Sequence, residues 1–140
     1  DGSKKMSKSE LSDLSRINLT DDKDQIMNKI KKAKTDPLPM PKSLKELNER
    51  PEAQNLLGIY ASLSNSTLEP SINKFAGKNF SQFKEELSEL LVNEITPISE
   101  EIKKLLKDQP YLDSILLDGV EKANKIASEK IKNIKEIIGF

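Results

Sequence analysis

The sequence predicts an all-α protein: a helical bundle over residues 21–140, preceded by a polar arm over residues 1–20. Three observations predict it. Apolar residues recur at helical spacing from Asp21 almost to the C-terminus, and no run of four or more residues alternates cleanly as a strand would. Aromatic residues make up only 4% of the 140, so Leu and Ile must build the interior. No internal repeat of 20 to 50 residues is visible, and the length suits one modest domain.

Five helices follow in order. In the first, Ile26, Ile30 and Ala33 share a face, Thr20 or Asp21 can cap the first turn, and Asp21, Asp22 and Asp24 complement the helix dipole. This helix is expected to end near Thr35. "DPLPMPKS" then places three prolines within five residues, which reads as a stiff extended connector. Pro51 suits the first turn of a second helix, with Leu56, Leu57, Tyr60 and Leu63 on one face through about Ser64. Asn55 stands beside that face, where it can satisfy a backbone group, and Gly58 interrupts the helix at a cost of about 1 kcal/mol. Ser66-Thr67-Leu68-Glu69 reads as a capping box for a short third helix carrying Leu68, Ile72 and Phe75 and stopping at Gly77. Ser81 is expected to cap a long fourth helix, in which Phe83, Leu87, Leu90, Leu91, Ile95, Ile98, Ile102 and Leu105 hold period and Pro97 introduces a kink. Pro110 opens the fifth, with Leu112, Ile115, Leu116, Val120, Ala123, Ala127, Ile131, Ile134 and Ile138 running to Gly139. Phe75, Phe80, Phe83 and Tyr111 are expected to pack rather than to stack on bases.

Twenty-three basic residues balance 23 acidic ones, so a case for nucleic acid must rest on local clusters. Cysteine is absent, which excludes disulfides and thiolate chemistry and fits a reducing compartment. Histidine is absent too, which removes imidazole acid–base catalysis, catalytic triads and histidine metal sites. The chemistry left is phosphate electrostatics or none. No apolar run approaches the roughly 18–20 residues that cross a bilayer, so no membrane partner is expected. The opening "DGSKK" has neither a hydrophobic leader nor an initiator Met and reads as the interior of a longer chain.

Two basic groups remain as candidates. Residues 5–9 read KMSKS, and a loop of this kind by itself is commonly a solvated linker. Two mobile ammonium groups with two hydroxyls can also follow a triphosphate as charge moves onto its pyrophosphate, stabilising the transition state more than the ground state. In "KIKKAK", Lys29, Lys31, Lys32 and Lys34 put four ammonium groups within six residues of a helix. That pattern suits a solvated face, or phosphate contacts whose strength falls steeply with salt. The acids Asp21, Asp22 and Asp24 read as helix N-terminal residues, and no metal site is expected.

Six blocks carry a resemblance: "DGSKKMSKS" (1–9), "SRINLTD" (15–21), "KIKKAKTD" (29–36), "RPEAQNLLGIYASLS" (50–64), "FAGKNFSQFKEELSELLV" (75–92) and "DGVEKANKIASEKIKNIKEIIGF" (118–140). In order and approximate spacing they resemble the C-terminal part of bacterial-type tryptophanyl-tRNA synthetases, class I aminoacyl-tRNA synthetases. The "NLLGIY" and "FAGKNF" blocks favour this family over its tyrosyl relatives. The resemblance implies that 1–20 is the KMSKS loop and connection from a Rossmann-type catalytic domain, and that 21–140 is a helical domain for the anticodon end of tRNA. It implies that Lys5 and Lys8 are catalytic on the phosphates of ATP, Lys8 favouring the departing pyrophosphate, while Met6, Ser7 and Ser9 shape the ATP-binding loop. It further implies ATP with Mg2+, tryptophan and tRNA(Trp) as partners, a homodimer, and a cytoplasmic location. Lys29, Lys31, Lys32 and Lys34 become candidates for tRNA contact. The family's other ATP signature contains histidine, so the 140 residues alone are expected to be inactive. The segment 36–49 looks like an insert. Two other readings are a stand-alone helical module for RNA or protein that retains the loop, and a purely structural bundle.

Overall fold

The computed structural model describes residues 2, 6–7 and 9–139, in which every regular element is helical. A 3-10 turn (Asp13–Ser15) precedes α1 (Lys23–Lys32), α2 (Leu44–Asn48), α3 (Pro51–Leu63), α4 (Leu68–Phe75), α5 (Phe80–Lys107) and α6 (Gln109–Ile138). The chain divides into two compact units, residues 1–100 and 101–140.

In the first unit, one apolar core draws on every helix from α1 to α5. Ile26, Ile30, Leu47, Leu56, Leu57, Ile72, Phe75, Phe83, Leu87 and Leu91 are all buried in it. Its centre is aromatic: Phe75 meets Tyr60 edge-on at 4.8 Å and Phe83 at 4.8 Å. Lys74 clasps three helices from outside, donating to Tyr60 Oη at 2.7 Å and pairing with Glu86 at 2.6 Å.

Helix starts differ from expectation in instructive ways. Asp22, not Thr20 or Asp21, caps α1, and it does so in a reciprocal capping box with Gln25. Asp21 is unavailable because its carboxylate is drawn inward to Lys29. α4 is preceded by Thr67, and no side-chain cap forms. Pro70 stands third in that helix and lacks the N–H that a capping hydroxyl would accept. α5 starts at Phe80, one residue before the expected cap Ser81, and the Asn79 N–H donates to Gln82 Oε1 at 3.3 Å. Pro97 lies within α5, which remains helical through it. α1 stops at Lys32 rather than near Thr35, and the Lys84 ammonium donates to the carbonyls of Lys31 (3.1 Å) and Ala33 (2.7 Å) just where it ends.

The proline-rich segment is part of the core rather than a spacer. Met40 and Pro41 are fully buried, and Met40 exchanges backbone hydrogen bonds with Lys78 (2.8 Å) and Gly77 (3.0 Å). Gly77 has φ +72°, the left-handed conformation that ends α4 and brings the chain back to Met40. Arg50 holds the segment's start: it is bidentate to Asp36 (2.9 and 2.6 Å), donates to the Pro39 carbonyl at 2.6 Å, and lies 5.6 Å from the centre of the Phe80 ring. Burial pushes the Asp36 carboxyl up, yet the hydrogen bonds and charge of Arg50 outweigh it and hold Asp36 below its ordinary value. Ser43 then caps α2, a helix within the segment read as an insert.

The second unit holds the end of α5 and all of α6. Asp108 caps α6 through the Tyr111 N–H, Pro110 lies in its first turn, and Gly139 ends it at φ +84°. None of its described residues is buried. Ile115, Leu116, Val120, Ile131 and Ile134, expected in a core, are at least half exposed, as is nearly the case for Tyr111.

Candidate functional site

Of the signature loop, Lys5 and Lys8 lie outside the described residues, while Met6, Ser7 and Ser9 are exposed. The loop's own chemistry bends it around Ser7. The Ser7 hydroxyl lies 2.9 Å from that of Ser9 and accepts the Ser9 N–H at 3.3 Å, and the Ser7 carbonyl accepts the Glu10 N–H at 3.3 Å. Arg16 reaches back to the same turn, donating to the carbonyls of Ser7 (3.4 Å) and Glu10 (3.2 Å).

The structure separates the four lysines of the basic cluster. Lys29 points inward, 6% exposed, with its ammonium 2.6 Å from both Asp13 and Asp21. Burial would lower its pKa, but the two carboxylates prevail and hold it above the usual lysine value. Asp13 is held low, first by its hydrogen bond from Lys29 and then by that from Asn18. Lys29 is therefore a structural ammonium in this arrangement, because it stands on the same face of α1 as Ile26 and Ile30. Lys31 and Lys32 are exposed at the end of α1. Lys34 is also exposed and pairs at 2.9 Å with Glu52, whose side chain is only 14% exposed.

Lys84 was not legible as part of this surface. It reaches the α1 terminus from α5, and burial alone lowers its pKa. Its charge opposes the carbonyl end of the helix beside Lys31 and Lys32. Asn55, expected beside the core, is exposed and lines a surface groove of about 520 Å3 with Gln54, Gly58 and Leu91. Among the described residues, Asp21, Asp22 and Asp24 do not form a metal-holding group. Asp22 is the helix cap and Asp21 the partner of Lys29.

A polar loop is thus tied to a helical core that ends in an exposed basic helix terminus. The family model described as tRNA synthetases class I (W and Y) matches residues 1–110, and the chain belongs to that family. Among curated relatives, the tryptophan–tRNA ligase of Agrobacterium fabrum (strain C58) is 51% identical over the whole chain and 40% of the relative's length. The tryptophan–tRNA ligases of Rickettsia felis and Caulobacter vibrioides are 51% and 48% identical over the whole chain, covering 42% and 41% of their lengths. The chain thus spans about 40% of the relatives it matches. The α6 region beyond residue 110 is included in those matches.

Proposed function

We propose that the chain is the signature-loop and helical part of a tryptophan–tRNA ligase. The observation that carries this reading is identity of about half to tryptophan–tRNA ligases along all 140 residues. In the proposed reaction the tryptophan carboxylate attacks the α-phosphate of ATP, the bond to the β-phosphate breaks, and pyrophosphate leaves. The terminal ribose of tRNA(Trp) then takes the tryptophanyl group and AMP leaves. Magnesium travels with the ATP phosphates as part of the substrate. Lys5 and Lys8 of the loop follow the charge that builds on the departing pyrophosphate, with Met6, Ser7 and Ser9 shaping the loop. Such chemistry needs positioning and charge stabilisation, not a covalent intermediate, which agrees with a chain lacking Cys and His. The working enzyme is a cytoplasmic homodimer on this reading.

The decisive experiment is ATP–pyrophosphate exchange by the full-length polypeptide, with tryptophan and tyrosine side by side. Exchange with tryptophan alone is the expected result, and the 140-residue chain alone gives none. Exchange with tyrosine instead, or with neither amino acid, would overturn the assignment.

Phosphate contact by tRNA falls to Lys31, Lys32 and Lys34, the members of the cluster whose side chains are exposed. Changing both Lys31 and Lys32 to Ala weakens tRNA(Trp) binding and reduces the slope of log K against log salt by about 1–2, close to one unit for each phosphate no longer neutralised. Filter binding between low and physiological salt reads both quantities. An unchanged slope would make the cluster an ordinary solvated face.

A further inference from the structure

We infer that Asp13 and Arg16 are positioning residues for the KMSKS loop, joined to the core through the buried ammonium of Lys29. The inference rests on the reading of that loop as a clamp on the ATP phosphates, and it adds the part that sets where the clamp stands.

The connection can be followed atom by atom. Arg16 Nη1 donates to the carbonyls of Ser7 and Glu10, at 3.4 and 3.2 Å, and Arg16 Nη2 pairs with Asp13 Oδ1 at 3.2 Å. The other oxygen of Asp13 takes Lys29 Nζ at 2.6 Å, and Lys29 also pairs with Asp21 at 2.6 Å. Asn18 braces both carboxylates, its side-chain amide donating to Asp13 at 3.0 Å and to Asp21 at 3.3 Å, while its backbone N–H donates to Asp21 at 2.8 Å. A continuous polar chain therefore runs from the backbone of the loop to the inner face of α1.

Among the described residues between the loop and α1, apolar packing against the core comes from Ile17, beyond Arg16. The 3-10 turn contains no buried residue; Leu11 is fully exposed and Leu14 is 46% exposed. The chain is also graded. Asp21 and Lys29 are 3% and 6% exposed, whereas the Asp13 side chain is 51% exposed. The inner pair is fixed by its surroundings, because releasing one partner would leave a buried charge uncompensated. The outer links are at the surface, where ion pairs open at little cost. A loop whose ammonium groups must meet a moving phosphate needs a defined base and a joint that yields, and this network supplies both.

The test is Asp13→Asn in the full-length enzyme, which removes the charge shared with Lys29 and Arg16 and leaves the Lys29–Asp21 pair in place. The turnover rate of tryptophan-driven pyrophosphate exchange is expected to fall between about 10-fold and about 10²-fold, the scale of a small misplacement. The KM for tryptophan should stay unchanged, and any fall in the thermal midpoint should leave the variant folded at the assay temperature. In a Lys8→Ala background, Asp13→Asn should add no further loss, because both act through the same loop. Should Asp13→Asn fold poorly, Arg16→Gln removes the hydrogen bonds to the Ser7 and Glu10 carbonyls and should show the same fall and the same lack of additivity. Wild-type turnover in a folded variant, or a loss that multiplies with that of Lys8→Ala, would overturn the inference. If Lys8→Ala itself exchanges at the wild-type rate, the phosphate-clamp reading fails and takes the inference with it. A Lys8→Ala defect beside a neutral Asp13→Asn would defeat the inference alone.

Discussion

Lys8→Ala in the full-length polypeptide is expected to slow tryptophanyl-adenylate formation by on the order of 10²-fold, the usual cost of losing one transition-state donor. The proposed role gives Lys8 its partner only as negative charge gathers on pyrophosphate, so the loss should fall on the rate of the chemical step. Tryptophan affinity should be nearly unchanged, since the side chain of the amino acid plays no part in that interaction. Lysine suits the task as a compact charge on a flexible stem. Single-turnover adenylation, with tryptophan binding measured separately, distinguishes the two effects. Adenylation at the wild-type rate would remove Lys8 from the mechanism.

The second large effect is on stability. Phe75→Ala should destabilise the first unit by about 3–5 kcal/mol, the range found when a fully packed Phe is truncated. Phe75 is completely buried, and its ring lies edge-on to both Tyr60 and Phe83, so removal opens a cavity where α3, α4 and α5 meet. A loss of that size is a large part of the roughly 5–15 kcal/mol that holds an ordinary domain together. Urea denaturation followed by circular dichroism should show a much lower midpoint. A loss below about 1 kcal/mol, well short of the usual cost of such a truncation, would mean that the aromatic centre is not what holds these helices.

Much of the helical plan was legible because helix ends obey local rules. Pro51 and Pro110 lie in first turns, and Gly77 and Gly139 take positive φ where α4 and α6 stop. The expected faces of α3 and of the first half of α5 are the buried ones, Leu56 and Leu57 against Phe83, Leu87 and Leu91. Reading failed where a residue had two local uses and distant partners chose between them. Asp21 is as good a helix cap as Asp22 by type, but the ammonium of Lys29 takes it. The prolines of 36–41 forbid a helix and so read as a spacer, yet Met40 and Pro41 fill the core. α2 is only five residues long, too short for periodicity to reveal.

The candidate site divides in the same way. The string KMSKS and the lysine cluster are visible as residue types at short spacing. That Lys29 is a core ion pair, while Lys31 and Lys32 remain exposed, follows from the helical phase set by Ile26 and Ile30 and from carboxylates supplied by another segment. Arg16 gave no sign of its role, because its acceptors are backbone carbonyls that carry no side-chain signature.

By itself, the sequence determined the helical class, most helix ends, the absence of thiol and imidazole chemistry, and the family resemblance. These depend on residue type and on spacings of a few positions. Tertiary structure decided which lysines of the basic cluster are exposed, what the proline segment packs against, how the loop is tied to α1, and where the chain divides. Such features depend on partners far apart in the chain, as when Lys84 meets the Ala33 carbonyl 51 positions away. Burial and electrostatic compensation select those pairs only after the helices have packed, and no local pattern records the choice.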